Sequence, residues 1–173
     1  VGTSDTGLVR YNFKDGWARF DSIIYGTTYQ NRKINDINCI AVDDPSGSLW
    51  IGTAGMKAEL FDGEKFIKLA TDYKFPSNYV GRIAVDNRST QGIVWFGTDK
   101  GLAKHYFNAN KNILLTDTYN VDNSNIAIDE NPLTIVPDKF RNCMWIGTNG
   151  GGLVKYHLYD SSWTYYNKTF SLI

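Results

Sequence analysis

The sequence predicts an all-β fold built of repeated four-stranded antiparallel units, on three observations. A Trp-bearing strand motif recurs at nearly constant spacing, each full copy runs through a short turn into a second strand, and an apolar segment ending in turn residues precedes it. Aromatics make up 14% of the 173 residues, with 16 Gly and only 2 Met, a mixture that favours pleated sheet with frequent turns over packed helices.

The motif reads Leu49-Trp50-Ile51-Gly52-Thr53, Val94-Trp95-Phe96-Gly97-Thr98 and Met144-Trp145-Ile146-Gly147-Thr148, and the chain opens on a truncated copy, Val1-Gly2-Thr3. The glycines stand 50, 45 and 50 residues apart, a period that suits one four-stranded blade. After each copy comes a second run: Gly7-Leu8-Val9-Arg10-Tyr11, Gly55 to Phe61, Gly101 to Tyr106 and Gly152 to Tyr156. Glycine ahead of the apolar residue provides the positive φ of a tight turn, so each pair reads as a hairpin.

Upstream lie Ile40-Ala41-Val42-Asp43, Ile83-Ala84-Val85-Asp86 and Leu133-Thr134-Ile135-Val136, each followed by turn residues. Downstream lie the candidate outer strands Trp17 to Phe20, Lys65 to Leu69, Asn112 to Leu115 and Trp163 to Tyr166. The order of inner strand, Trp strand, Gly-led strand and outer strand is the plan of a β-propeller blade. Helical solenoids are excluded, because no segment sustains a 3.6-residue period, and an immunoglobulin-like sandwich would not repeat its sequence blade by blade.

About four blades are expected: a partial first over 1–34, then 35–77, 78–128 and 129–173. The first lacks its inner strand. An open stack would expose sheet edges, so closure is expected through further blades of a longer propeller, a second copy, or a small four-bladed ring, with the first favoured.

Composition narrows the partners. With 18 Lys+Arg against 18 Asp+Glu, no global field favours nucleic acid or an acidic membrane. No apolar run is long enough to insert in a membrane and no signal-peptide pattern opens the chain. Cys39 and Cys143 fit no metal spacing and read as buried free thiols.

The recurrence of Leu49-Trp50-Ile51-Gly52-Thr53, with Pro76-Ser77-Asn78 and Ile83-Ala84-Val85-Asp86 before the next copy, resembles the two-component regulator propeller repeat over nearly the whole chain. That resemblance implies a periplasmic or cell-surface sensor propeller, frequent in Bacteroidetes-type bacteria. Such propellers often form the sensory end of hybrid histidine kinases that respond to polysaccharide fragments. It also extends to secreted propellers without a kinase, one of them in the secretion system of gliding bacteria. Two departures from the pattern stand out: Met56-Lys57-Ala58-Glu59 in the second repeat, and Val136-Pro137 where Val-Asp is usual.

Residues with chemical potential read mostly as structural. Trp50, Gly52, Thr53, Trp95, Gly97, Thr98, Trp145, Gly147 and Thr148 recur once per blade, which points to packing between blades rather than to sugar stacking. His105 shares the column of Tyr11 and Tyr156, and His157 has no metal-ligand neighbours in sequence. No nucleophile elbow, phosphate loop, zinc-protease pair or Cys-x-x-Cys occurs, so no catalytic residue, metal or cofactor is expected. Carboxylates converging on the axis, as in propeller glycosidases and lyases, would leave no local motif.

Ligands of propellers sit on loops. The candidate loops here carry Asp5, Asp99, Lys100 and Asn149 after the Gly-Thr strands, and Arg32, Lys33, Tyr73 and the segment 117–131 before the next inner strand. Their Asn, Asp, Lys, Arg and Tyr suit glycans and equally suit plain solvation. Asp122-Asn123-Ser124-Asn125 lacks calcium-loop spacing, and Asn87-Arg88-Ser89 and Asn167-Lys168-Thr169 match a glycosylation acceptor only in a eukaryotic secretory host. The expected function is a non-catalytic propeller that binds an oligosaccharide or another protein. A purely structural interaction scaffold is the alternative.

Overall fold

The computed structural model describes residues 8–12, 19–24, 36–44, 46–67, 74–88, 92–108, 110, 113–120 and 132–166. Their regular elements are all β-strands. A first sheet pairs β1 (Leu8–Asn12) with β2 (Arg19–Ile24). A second runs β3 (Ile37–Asp43), β4 (Ser48–Thr53), β5 (Ala58–Phe61) and β6 (Phe66–Ile67). A third runs β7 (Val80–Asp86), β8 (Gly92–Thr98), β9 (Gly101–Phe107) and β10 (Ile113–Tyr119). The fourth runs β11 (Pro132–Asp138), β12 (Cys143–Thr148), β13 (Gly152–His157) and β14 (Trp163–Tyr166). All pairings are antiparallel between sequence neighbours, and the inner strands β3, β7 and β11 contact one another in turn. This is the stacking of β-propeller blades around an axis. Among the described residues the arc does not close into a ring.

Alternation along the Trp strand builds the core. Trp50 packs on Phe96 and Phe107 of the third sheet, with ring centroids 5.6 and 4.7 Å away. Its neighbour Ile51 faces the other way and is buried with Leu8 and Phe61. Trp95 likewise packs edge-on to Tyr156 of the fourth sheet at 4.9 Å, while Phe96 joins the core shared with the second sheet. Trp50 and Trp95 face the following sheet, and Ile51 and Phe96 after them face the preceding one, as period-two side-chain alternation requires.

Trp145 departs from its two counterparts. It is half-buried, whereas Trp50 is 1% and Trp95 0% exposed. No described sheet lies on its face, so it packs within its own sheet: its ring is 5.6 Å from that of Tyr166, and Nε1 donates to Asp138 Oδ2 at 3.2 Å.

The Gly-Thr pair has two separate structural uses. Gly52 runs beside the next inner strand, where a Cβ would stand 2.8 Å from the Val80 carbonyl oxygen. The threonine hydroxyls lock the hairpin turns: Thr53, Thr98 and Thr148 donate to the carbonyls of Lys57, Gly101 and Gly152 at 2.9 to 3.0 Å.

These bonds also correct the repeat alignment. The partner of Gly101 (φ 123°) and Gly152 (φ 85°) in the second sheet is Lys57 (φ 64°), and Gly55 lies earlier in the turn. A lysine therefore holds the left-handed position here. In the fourth sheet, pairing of Val136 with Trp145 places Asp138 opposite Cys143, as Asp43 lies opposite Ser48. The aspartate of the inner strand is thus present, and Pro137 occupies the column of Val42 and Val85.

Candidate functional site

The third and fourth sheets enclose a cleft of about 280 Å³, lined by Asp86, Arg88, Ile93, Lys104, Tyr106, Asn142, Leu158 and Ser161. Strand order positions these groups. Asp86 ends β7, Ile93 lies near the start of β8 opposite Tyr106 of β9, and Lys104 lies two residues before Tyr106 on the same face. Asn142 comes from the β11–β12 turn, and Leu158 and Ser161 from the β13–β14 turn.

Asp86 anchors the floor. It is 2% exposed and accepts bonds from Arg88 Nε at 2.6 Å and from a second guanidinium nitrogen at 2.5 Å, a bidentate fork that matches carboxylate geometry. The remaining Arg88 nitrogen donates to the Asp138 carbonyl at 2.9 Å, tying the two sheets together. Below, Asp138 caps its own turn by accepting from the Arg141 N–H at 3.0 Å. With the Trp145 indole and the Arg141 guanidinium, this pulls its carboxyl down to about 2.

Lys104 is 2% exposed. Its ammonium donates to the Tyr156 hydroxyl at 3.0 Å and sits 4.7 to 5.3 Å from the ring centroids of Trp95, Tyr106 and Tyr156. Burial works against its charge, but the phenol oxygens of Tyr106 and Tyr156 outweigh it and hold the ammonium above its ordinary value. A cation in a desolvated aromatic box gains about 2 kcal/mol or more.

Three of the loop residues expected from sequence are described, and they lie elsewhere. Asp99 (half-buried) and Lys100 (exposed) occupy the β8–β9 turn, and Asn149 (exposed) the β12–β13 turn. These turns share the end of the sheets opposite to the β7–β8 and β13–β14 turns around the cleft. Asp5, Arg32, Lys33 and Tyr73 lie outside the described residues, as do the Asp122 segment and Asn167. The cleft residues escaped sequence reading because they come from three strands and three turns of two repeats. One signal did exist: a base recurs in sequence at Arg10, Lys104 and Lys155, and on β9 and β13 it pairs with the motif Trp of the neighbouring strand.

His105 donates from Nε2 to the Lys74 carbonyl at 3.3 Å and lies among Phe75, Phe96 and Phe107, and burial pushes its pKa down to about 4. His157 shares a hydrogen bond with Thr164 Oγ1 at 3.0 Å. Cys143 is buried and Cys39 half-buried, both as free thiols; burial raises Cys39 to about 11. Among the described residues no three His, Cys, Asp or Glu gather as a metal site, and no helix is long and apolar enough to cross a membrane.

No family model matches the chain, and no curated protein matches it. Solved structures do. One is described as the extracellular domain of a hybrid two component system, BT3049 from B. thetaiotaomicron, at 17% identity and TM-score 0.65 over 97% of this chain and 25% of that one. A second is described as the extracellular domain of a one component system, BT4673 from the same organism, at 17% identity and TM-score 0.66 over 94% of this chain and 20% of that one. The chain thus spans a quarter and a fifth of the lengths of these two structures. At this identity the likeness establishes the fold: an all-β arc of propeller blades.

Proposed function

We propose that this chain is a ligand-reading segment of an extracytoplasmic sensor propeller of the two-component regulator type, without catalytic chemistry of its own. The observation that carries this reading is the interblade cleft, which sets a buried lysine and an arginine-aspartate fork between two rigid sheets. Clefts of this kind, mostly preformed with a few convergent polar groups, are where small ligands bind. The shared fold with two extracellular domains supports an extracytoplasmic setting, and the Trp-Gly-Thr repeats support the family. A glycan array followed by calorimetry tests the reading, and a hit abolished by substitutions in the cleft is the expected result.

A second reading, a protein-binding scaffold, has its own observation. Phe140 and Tyr159 are 99% and 93% exposed on the β11–β12 and β13–β14 turns at one end of the fourth sheet, and aromatics of this kind anchor protein interfaces. Silence across polysaccharide fragments would favour it.

A further inference from the structure

The cleft between the third and fourth sheets holds three charges with unequal pairing. Both oxygens of Asp86 are engaged by Arg88, so that pair is neutral. The direct partners of Lys104 are neutral: the phenol oxygens of Tyr156 and Tyr106 and three aromatic rings, while Asp117, opposite it on β10, accepts from the Tyr119 hydroxyl at 3.5 Å. Among the described residues no carboxylate lies within ion-pair distance of its ammonium. The lining therefore carries one net positive charge, at the wall of a cavity and almost wholly removed from solvent.

A buried cation facing neutral groups remains under-compensated, since desolvating an ammonium costs several kcal/mol. A core built only for packing would place an apolar residue there, and the second sheet does so. Pairing of Trp50 with Leu60, of Trp95 with Lys104 and of Trp145 with Lys155 puts Leu60 in the same column. Leu60 is fully buried within the apolar core shared by the second and third sheets. At Lys104 the same column instead lines a cavity.

We infer that this cleft binds a monoanionic, carboxylate-bearing ligand of about one sugar ring in size, with its carboxylate on Lys104. The charge sets the valence, because a single carboxylate neutralises the one uncompensated cation without displacing Asp86 from Arg88. The volume of about 280 Å³ falls just under the ~300–1,000 Å³ of sites for drug-sized ligands. Asn142 and Ser161, both exposed, suit hydroxyl groups at the mouth, and Ile93, Leu158 and the Tyr106 ring form an apolar wall. A charge-assisted bond to a buried ammonium is about twice as strong as a neutral one. The inference rests on the reading of this chain as a ligand-binding segment and names the ligand class of that site.

The test is titration of the ¹⁵N-labelled chain with glucuronate, glucose and acetate. Glucuronate is expected to shift amide resonances centred on residues 86, 88, 93, 104–106, 142 and 158–161. Acetate should shift part of the same set more weakly, and glucose should leave it unmoved. Lys104→Met should weaken glucuronate binding at least about tenfold, and Ile93→Glu, which places a carboxylate in the cleft from the chain itself, should abolish it. Thermal unfolding checks that each variant folds, and the unsubstituted chain decides the matter if neither does. Glucuronate that shifts no resonance at tens of millimolar overturns the inference, as do shifts centred elsewhere, equal binding by Lys104→Met, or equal shifts with glucose. A glycan-array hit on neutral sugars combined with no glucuronate binding would overturn the ligand class and leave the proposed function standing.

Discussion

Gly52 of the second sheet and Val80 of the third approach so closely that a side-chain carbon on Gly52 would stand 2.8 Å from the Val80 carbonyl oxygen and 2.9 Å from its Cγ1. Inner parts of neighbouring blades converge toward the axis, and the motif glycine makes room for that approach. Gly52→Ala is expected to lower stability by about 1–3 kcal/mol through overpacking. Urea unfolding checks it, and an unchanged midpoint would show that the two strands can separate freely.

The three motif tryptophans are alike in sequence and unlike in surroundings. Trp95→Ala removes a ring that is 0% exposed and packed on Tyr156, Trp163 and Tyr119, so a loss of about 3–5 kcal/mol is expected. Trp145→Ala removes a half-buried ring with its hydrogen bond to Asp138 and should cost less than half as much. Comparable losses in the two variants would mean that Trp145 is covered in solution.

Arg88 neutralises an aspartate that is 2% exposed and ties it to the next sheet. Arg88→Ala leaves that carboxylate in the cleft without its fork, at a cost of about 2–3 kcal/mol, below the ~3–5 of a fully buried pair because the Arg88 side chain is 20% exposed. The double variant Asp86→Asn with Arg88→Ala should recover part of the loss in chemical denaturation. Without recovery, the arginine acts through packing rather than charge.

Two buried groups give stability an opposed dependence on pH. Burial lowers His105 from 6.5 to about 4, with the Lys57 charge adding to it. The unfolded chain therefore takes up this proton first, and stability falls as pH drops from 6.5 toward 4. Burial raises Glu59 from 4.5 to about 7, so the folded chain retains its proton longer and stability falls as pH rises from 4.5 toward 7. Each window is worth up to about 3 kcal/mol. Glu59→Gln should remove the loss on the alkaline side. His105→Phe, which places there the residue type of Phe61 in the same column, should remove the loss on the acid side. Unfolding midpoints at pH 4.5, 6 and 8 separate the two, and parallel profiles for both variants and the parent would contradict these shifts.

Much of the fold was legible because it is written in local chemistry. Apolar alternation, the Trp strand and the turn residues each act within a few positions, and the strands Val94 to Thr98 and Trp163 to Tyr166 fall where these signals place them. The alignment failed where a local signal was misleading. Gly55 looked like the turn glycine, yet the Thr53 hydroxyl selects Lys57, and Val136-Pro137 looked irregular until pairing with β12 placed Asp138 in register.

The cleft was not legible for a related reason. Its residues lie up to 75 positions apart, from Asp86 to Ser161, and none is unusual within its own strand or turn. Lys104 reads from sequence as one base in a recurring column, equivalent to Lys155. What separates them is the neighbour: Tyr156 of the fourth sheet closes over Lys104, while no described sheet faces Lys155.

By itself, then, the sequence determined the blade: four strands, their order, and which residues point between sheets, because period-two alternation and turn chemistry are short-range. Only the tertiary structure decided which of the equivalent residues became core, which became cleft and which stayed half-exposed. A side chain aimed between blades takes its burial and its charge balance from the blade it meets, and no local pattern encodes that neighbour.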